Sequence, residues 1–501
     1  MIHKTNEIFK DLFIFEVANN HQGDLEHGKL IIRTIGEIAR KRKIKAGVKL
    51  QYRNLETFIH PNFRNDTNAK HISRFLSTEL NKEQFGELAH EIKAQGLVSV
   101  CTPFDEDSVQ WIIDHDIEII KVASCSSDDW PLLDKIVGAG KPIIASTGGL
   151  QLIEIDKLIN FFSHREIEFA ILHCVAVYPS PNELLNMCFI ERLLKRYPDI
   201  IFGYSGHEAP DNLSPVLVAT AMGARIFERH VGFPTESITL NAYSMSPEQT
   251  DAWVAAALEA KAICGSTEKS ISSAESESLL SLKRGVFFRK SVEKGQTINR
   301  EDIYFAMPCV PGQITSSDFG KFRASFIASK NYSVNEALIE CINIDEYHNL
   351  RSIIHEAKGI LSEAGVVLTP SAEIELSHHY GIQRFREFGI LIVNLINREY
   401  CKKIIVVFPG QHHPEQFHIK KEETFHILNG ELIISMNGIH SQLSKGDIVT
   451  IERGVKHAFW SIKGCIIEEI STTHFRNDSF YTDEKINVLD PMQRKTILTE
   501  F

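Results

Sequence analysis

Clustered basic charge is absent from this chain. Its 54 Lys and Arg are outnumbered by 65 Asp and Glu, for a net charge of −11. Neutralising nucleic-acid phosphates takes grouped Lys and Arg, so no nucleic-acid partner is expected. Also missing is any apolar run approaching the ~20 residues that span a bilayer. Runs such as 389–393 fall far short, so no membrane association is expected. The first ten residues are largely polar and charged, unlike a secretory leader. The nine Cys include no Cys-x-x-Cys pair. Scattered thiols, odd in number, fit a reduced cytoplasmic protein better than a disulfide framework.

What is present is length enough for about three domains and an apolar fraction of 43%, ample for packed cores. Short, mostly apolar runs recur at 12–18, 47–51, 98–102, 119–123, 142–146, 169–174, 200–204 and 224–227. Most are continuous rather than alternating, as expected of parallel strands buried on both faces. Amphipathic helical stretches fall between them, for example 26–40, 82–94 and 131–137. Eight strand–helix repeats over residues 1–265 predict an α/β architecture, a (β/α)8 barrel, with a doubly wound sheet as the alternative.

Polar residues end nearly every run. They include Glu16, Lys49 with Gln51, Thr102, Lys121 with Ser124, Ser146, Tyr178, Ser205 with His207, and Glu228 with His230. In a barrel these meet at the C-terminal face, where active sites of this fold lie. Two parallel strands joined by a helix over 213–222 would bring His207 and His230 to one metal ion. Lys49 and Lys121, inside apolar strands and beside Ser or Thr, point to a bound anion, a phosphorylated substrate.

Taken in order, several stretches resemble the sialic acid synthase family. They include Phe15-Glu16-Val17-Ala18-Asn19-Asn20-His21, Val48-Lys49-Leu50-Gln51, Cys101-Thr102-Pro103-Phe104-Asp105, Lys121-Val122-Ala123-Ser124, Ser146-Thr147-Gly148-Gly149, Gly203-Tyr204-Ser205-Gly206-His207 and Glu228-Arg229-His230. The resemblance implies condensation of phosphoenolpyruvate with an N-acylmannosamine-type or related aldose. The products would be a nonulosonic acid and phosphate, released by C–O cleavage, in surface polysaccharide biosynthesis. It implies a divalent metal on His207 and His230: Mn²⁺, with Mg²⁺ or Co²⁺ as the other candidates. Lys49, Thr102, Lys121, Ser124, Ser146 and Ser205 would hold phosphoenolpyruvate. Glu16, Gln51, Tyr178 and Glu228 would form the catalytic set, the first three facing the sugar and Glu228 orienting or deprotonating water.

This sequence departs from the family pattern at three barrel positions. Gly206 stands where the family has Asp, Leu240-Asn241 where it has Asp-His, and Ala176 where it has Asn or Ser. Changes confined to the sugar side imply an acceptor other than N-acetylmannosamine. The alternative is a catalytically retired barrel serving as a sugar-binding scaffold.

Residues 266–281 are Ser- and Glu-rich and read as a linker. Short strands with Gly and Pro turns over 282–342 resemble the antifreeze-like (SAF) domain of the same family. That resemblance implies a domain-swapped homodimer. The Arg-Pro of its capping loop reads Met307-Pro308 here. A helical connector is expected over 343–384, a cupin β-barrel over 385–475 and a tail over 476–501. In the cupin, Asn429-Gly430 and Asn437-Gly438 read as hairpin turns. Gln416, His418, Glu423 and His457 would bind a second divalent metal, with His412 and His413 either a substitute ligand or simply a polar loop. Lys420 and Lys421 read as surface charges. The cupin would isomerise or epimerise a sugar, sense one, or stabilise the oligomer.

Overall fold

The computed structural model describes residues 7–64, 71–319, 325–344, 346–369, 372–475 and 477–498. The chain forms two compact units, Met1–Lys269 and Ser270–Phe501.

In the first unit eight strands close a parallel barrel. They are β1 (Leu12–Glu16), β2 (Lys45–Tyr52), β3 (Val98–Pro103), β4 (Ile119–Val122), β5 (Ile143–Ser146), β6 (Phe169–Cys174), β7 (Ile201–Gly206) and β8 (Ile226–His230). β1 pairs with both β2 and β8, which decides for the barrel over an open sheet.

Alternation along the strands explains where the polar residues point. Phe13 and Phe15 pack outward into the layer between sheet and helices. Leu12 and Ile14 pack inward with Val100, Ile119, Ile144, Leu172 and Ile226. Each of these lumenal side chains except Leu12, which precedes Ile14, is followed two residues later by a polar one or a thiol, in phase with it: Glu16, Thr102, Lys121, Ser146, Cys174 and Glu228. The barrel floor is therefore dry and its C-terminal mouth polar. The outer helices begin at defined caps. Asp24 accepts from Glu26 and His27 at the start of Leu25–Arg42, and Asn81 with Gln84 forms a capping box on Lys82–Ala94.

The second unit contains a small β module and a large antiparallel sheet. The module pairs Gly285–Phe288 with Ile303–Ala306, and Ser325–Ala328 with Thr297–Ile298 and Cys341–Ile344. Val286, Phe288, Ile298 and Phe319 are among its core residues. Part of 266–281 is ordered as helix, since Ser273–Leu282 is capped by Ser272.

The large sheet reaches past 385–475 at both ends. Glu373–His378 pairs with Gly389–Asn397 on one side and with Lys495–Leu498 on the other. A strand therefore lies in the stretch read as a helical connector, and another in the stretch read as a tail. Helix Glu346–Glu363 lays Ile353, Ala357 and Leu361 onto Ile374, Leu376 and Phe385.

Only one of the two Asn-Gly pairs turns the chain. Asn437 and Gly438, both at positive φ, join Met436 to Ile439 as a two-residue hairpin. Asn429-Gly430 instead lies inside a single strand, Glu423–Met436, at a register slip after Ile427. Gly430 has φ +78°, and a Cβ there would lie 2.2 Å from the Gly464 carbonyl oxygen. The glycine serves a bulge and a close backbone approach.

All nine cysteines are free. Among the described residues, no helix is long and apolar enough to cross a membrane.

Candidate active site and a second cavity

At the barrel mouth a cavity of about 680 Å³ opens. Every barrel residue singled out above lines it: Glu16, Lys49, Gln51, Thr102, Lys121, Ser124, Ser146, Tyr178, Ser205, His207, Glu228 and His230. Lys49 Nζ lies 2.6 Å from Glu16 Oε2 and 2.9 Å from Glu228 Oε2. Gln51 donates to Glu16 at 3.2 Å and Ser205 to Glu228 at 2.7 Å. Lys121 donates to Ser146 Oγ at 2.6 Å and stands 3.9 Å from Glu228. Ser124 Oγ accepts from the Gly148 amide. The Thr102 hydroxyl is buried without a partner, so it has a hydrogen bond to give.

The two lysines are held in different states. Burial pulls the Lys121 ammonium down to about 8, against the nearby Glu228. Burial acts likewise on Lys49, but Glu16 and Glu228 outweigh it and hold that ammonium above its usual range. Burial raises the Glu228 carboxyl, yet Lys121 and Lys49 bring it to about 2. The floor of the cavity thus keeps its charges at neutral pH.

His207 and His230 meet at the rim, with ring centroids 5.3 Å apart. Burial and, for His230, Lys49 keep both imidazoles neutral; for His207 the second cause is His230. Nδ1 of His230 is buried and unpartnered. Neutral imidazoles with a spare nitrogen suit a metal. Tyr178 and Tyr243 close over the pair, Tyr178 at 4.3 Å from His207 and Tyr243 at 5.0 Å from His230.

Tyr243 and Arg53 are cavity residues that the sequence reading missed. Arg53 is held between the rings of Phe75 and Phe104 and donates to Gln51 at 2.7 Å. Its spacing of two from Gln51 was the available signal.

The departures from the family pattern have physical settings. Gly206 is crowded: a Cβ would lie 2.5 Å from Glu208 Oε2, 2.8 Å from Tyr204 and 2.9 Å from Arg229. Glu208 and Arg229 form a fully buried ion pair, and Tyr204 donates to the same carboxylate. A carboxylate is therefore present near this position, but it comes from Glu208. Ala176 and Asn241 line the cavity.

A model of the NeuB family matches residues 37–269, and one of the cupin domain matches 403–464. The chain is 44% identical to a solved structure, a candidate spore coat polysaccharide biosynthesis protein E from Chromobacterium violaceum. That match covers 66% of this chain and 98% of the other, with a TM-score of 0.63. The chain belongs to the NeuB family. It is similar to the N,N'-diacetyllegionaminic acid synthase of Campylobacter jejuni, with 24% identity over 66% of this chain and 99% of that one. It is also 29% identical to the N-acetylneuraminate-9-phosphate synthase of Homo sapiens, over 44% of this chain and 61% of that protein.

This NeuB-family chain has a second polar cavity, of about 80 Å³, inside its cupin sheet. Among the described residues, only His418, Glu423 and His457 bring three metal-type donor atoms within 4.8 Å of one another. Both rings are fixed from behind, His418 Nδ1 by the Asp478 carbonyl at 2.6 Å and His457 Nδ1 by the Val455 carbonyl at 3.1 Å. Each therefore presents Nε2 to Glu423, at 3.4 and 3.3 Å. Gln416 lies 3.3 Å from His457 Nε2. The donor set fits a divalent metal. His412 is exposed and stacks on Trp460, whereas His413 is buried against Phe459.

The surface reading holds for Lys420 and fails for Lys421. Lys421 is buried, contacts Glu423 and lies 3.1 Å from Glu469. Asp478 is the cause. Its carboxylate accepts from the amides of Ile419, Lys420 and Lys421, curling the loop so that Lys421 turns inward.

Proposed function

We propose that this protein is a phosphoenolpyruvate-dependent synthase of nonulosonic acids. Two buried lysines on neighbouring carboxylates, set beside a neutral His pair, carry the reading. Lys49, Thr102, Lys121, Ser124, Ser146 and Ser205 hold the phosphate and carboxylate of phosphoenolpyruvate by preorganised charge and hydrogen bonds. Glu16, Gln51 and Tyr178 bind and orient the aldose. His207 and His230 would hold a divalent ion, Mn²⁺ first, which would supply Lewis acidity at the sugar aldehyde.

C3 of phosphoenolpyruvate forms a bond to the aldehyde carbon, whose oxygen is protonated. Water adds to C2, with Glu228 accepting its proton. As the C2–O bond breaks, the C2 hydroxyl gives up its proton to become the ketone, and phosphate leaves with the bridging oxygen and that proton. The proton taken by Glu228 balances the one gained by the aldehyde oxygen. The products are a 2-keto acid and inorganic phosphate.

The changes at Ala176 and Asn241, which line the cavity, and at Leu240 and Met307 support an acceptor other than N-acetylmannosamine. The β module over 282–342 is read as an SAF domain, in a cytoplasmic homodimer serving surface polysaccharide synthesis. The test is phosphate release from phosphoenolpyruvate and Mn²⁺ with a panel of aldoses, with mass spectrometry of the product and His207→Ala as control. A keto acid of matching mass, lost in the variant, is expected. No release with any aldose from folded, metal-loaded protein refutes the proposal.

The His418–Glu423–His457 cluster favours a second reading, in which the cupin is a metal-dependent sugar isomerase. It requires aldose–ketose interconversion by the full chain that disappears in His457→Ala.

A further inference from the structure

The second cavity is charge-imbalanced. Three carboxylates line it, and each has an ammonium partner. Glu375 has Lys495 at 3.3 Å, Glu469 has Lys403 at 3.5 Å, and Glu423 has Lys421. Arg494 is the remaining charge on the wall. Its Nε and Nη1 are buried with no hydrogen-bond partner, and among the described residues it forms no ion pair. A guanidinium is always charged, and leaving its N–H groups unmet in a buried site is costly. A divalent ion on His418, Glu423 and His457 would add further positive charge to the same space.

The surrounding groups form a receiving surface. The Arg494 guanidinium carbon lies 5.1 Å above the Tyr481 ring, which is 4.9 Å from His379, which is 4.8 Å from His413. Nδ1 of both His379 and His413 is buried and unpartnered. One guanidinium and two imidazoles therefore have hydrogen-bonding capacity that no protein group uses, and all three line one cavity. The space admits several waters, hence a ligand of a few non-hydrogen atoms.

We propose that this cupin cavity is a binding site for a small carboxylate, a monoanion held by Arg494 with His379 and His413 beside it. Among the charged side chains of the wall one negative charge balances the one unpaired cation, and a divalent ion would add to the preference for an anion. A carboxylate also matches the planar donor array of a guanidinium. The proposal is independent of the barrel chemistry, since none of these residues belongs to the first unit.

The test is calorimetric titration of the full-length protein with glycolate and, separately, with inorganic phosphate. It compares wild type, Arg494→Gln, Arg494→Lys and His379→Ala, each checked for folding by circular dichroism. The expected result is a glycolate site weakened about tenfold or more in Arg494→Gln and also weakened in Arg494→Lys. Phosphoenolpyruvate turnover should be unaltered in the same variants. Should Arg494→Gln fail to fold, Arg494→Lys and His379→Ala carry the test. No glycolate binding, or binding insensitive to Arg494 and His379, overturns the proposal. Phosphate binding that is tighter than glycolate binding and is weakened in Arg494→Gln overturns the carboxylate assignment; phosphate binding insensitive to Arg494 belongs to the barrel.

Discussion

Lys49 bridges Glu16 and Glu228, at 2.6 and 2.9 Å, with all three side chains nearly out of contact with solvent. One ammonium thereby serves two carboxylates from neighbouring strands. Its removal leaves both buried and uncompensated. Lys49→Met is expected to abolish phosphate release and to cost about 3–5 kcal/mol of stability, the usual penalty for breaking a buried pair. Adding Glu228→Gln should return part of that stability but none of the activity. Urea denaturation and the phosphate assay check both halves.

Lys121 should impose an alkaline limit. Its ammonium titrates at about 8 in the folded protein and at 10.5 ordinarily. Above pH ~8 the folded site loses a positive charge that phosphoenolpyruvate needs, so KM for phosphoenolpyruvate should rise there. The sign for stability is opposite. Between pH 8 and 10.5 the unfolded chain holds a proton that the folded chain releases, so this group's contribution to stability rises with pH. Lys121→Gln should flatten the KM profile over this window.

Restoring the family's acid at Gly206 should harm the fold. In Gly206→Asp the new side chain meets the buried Glu208–Arg229 pair. A loss of about 3 kcal/mol is expected from overpacking and like-charge contact. Gly206→Asp combined with Glu208→Ala should recover part of it, as read by thermal unfolding.

In the cupin, Lys421 and a metal ion compete for Glu423. Lys421→Met should tighten divalent-metal binding by about tenfold or more, because an ammonium no longer repels the ion at short range. Calorimetry with Mn²⁺ in the His207→Ala background, which removes a proposed ligand of the barrel ion, would isolate this site. Unchanged affinity would mean that the ammonium does not oppose the ion.

The two Asn-Gly glycines should respond differently to alanine. Both have positive φ, but nothing lies within 4 Å of a Cβ at Gly438, whereas one at Gly430 would strike a carbonyl oxygen. Gly438→Ala should cost about 1 kcal/mol, and Gly430→Ala clearly more, measured by denaturant midpoints.

The barrel site was readable because two constraints coincide there. A period of two along each strand and the rule that barrel sites lie at strand ends select the same side chains, from Glu16 to His230. The cupin was less readable for reasons of distance. Lys420 and Lys421 look alike in sequence, and what separates them is Asp478, 57 residues on. Arg494 and Glu375 lie outside the recognisable cupin pattern and reach the cavity only through the pairing of Glu373–His378 with Lys495–Leu498. Asn429-Gly430 misled because a hairpin and a bulge ask the same conformational freedom of glycine.

Lys495–Leu498 is four residues long, carries a lysine and forms the outermost strand of its sheet. Short, charged borders of this kind discourage strand addition by other molecules. Cutting the protein at residue 475 would strip that border and uncover Glu373–His378, two of whose side chains, Ile374 and Leu376, are fully buried. The shortened protein should self-associate, so a preparation made to isolate the cupin would lose solubility before it lost its fold.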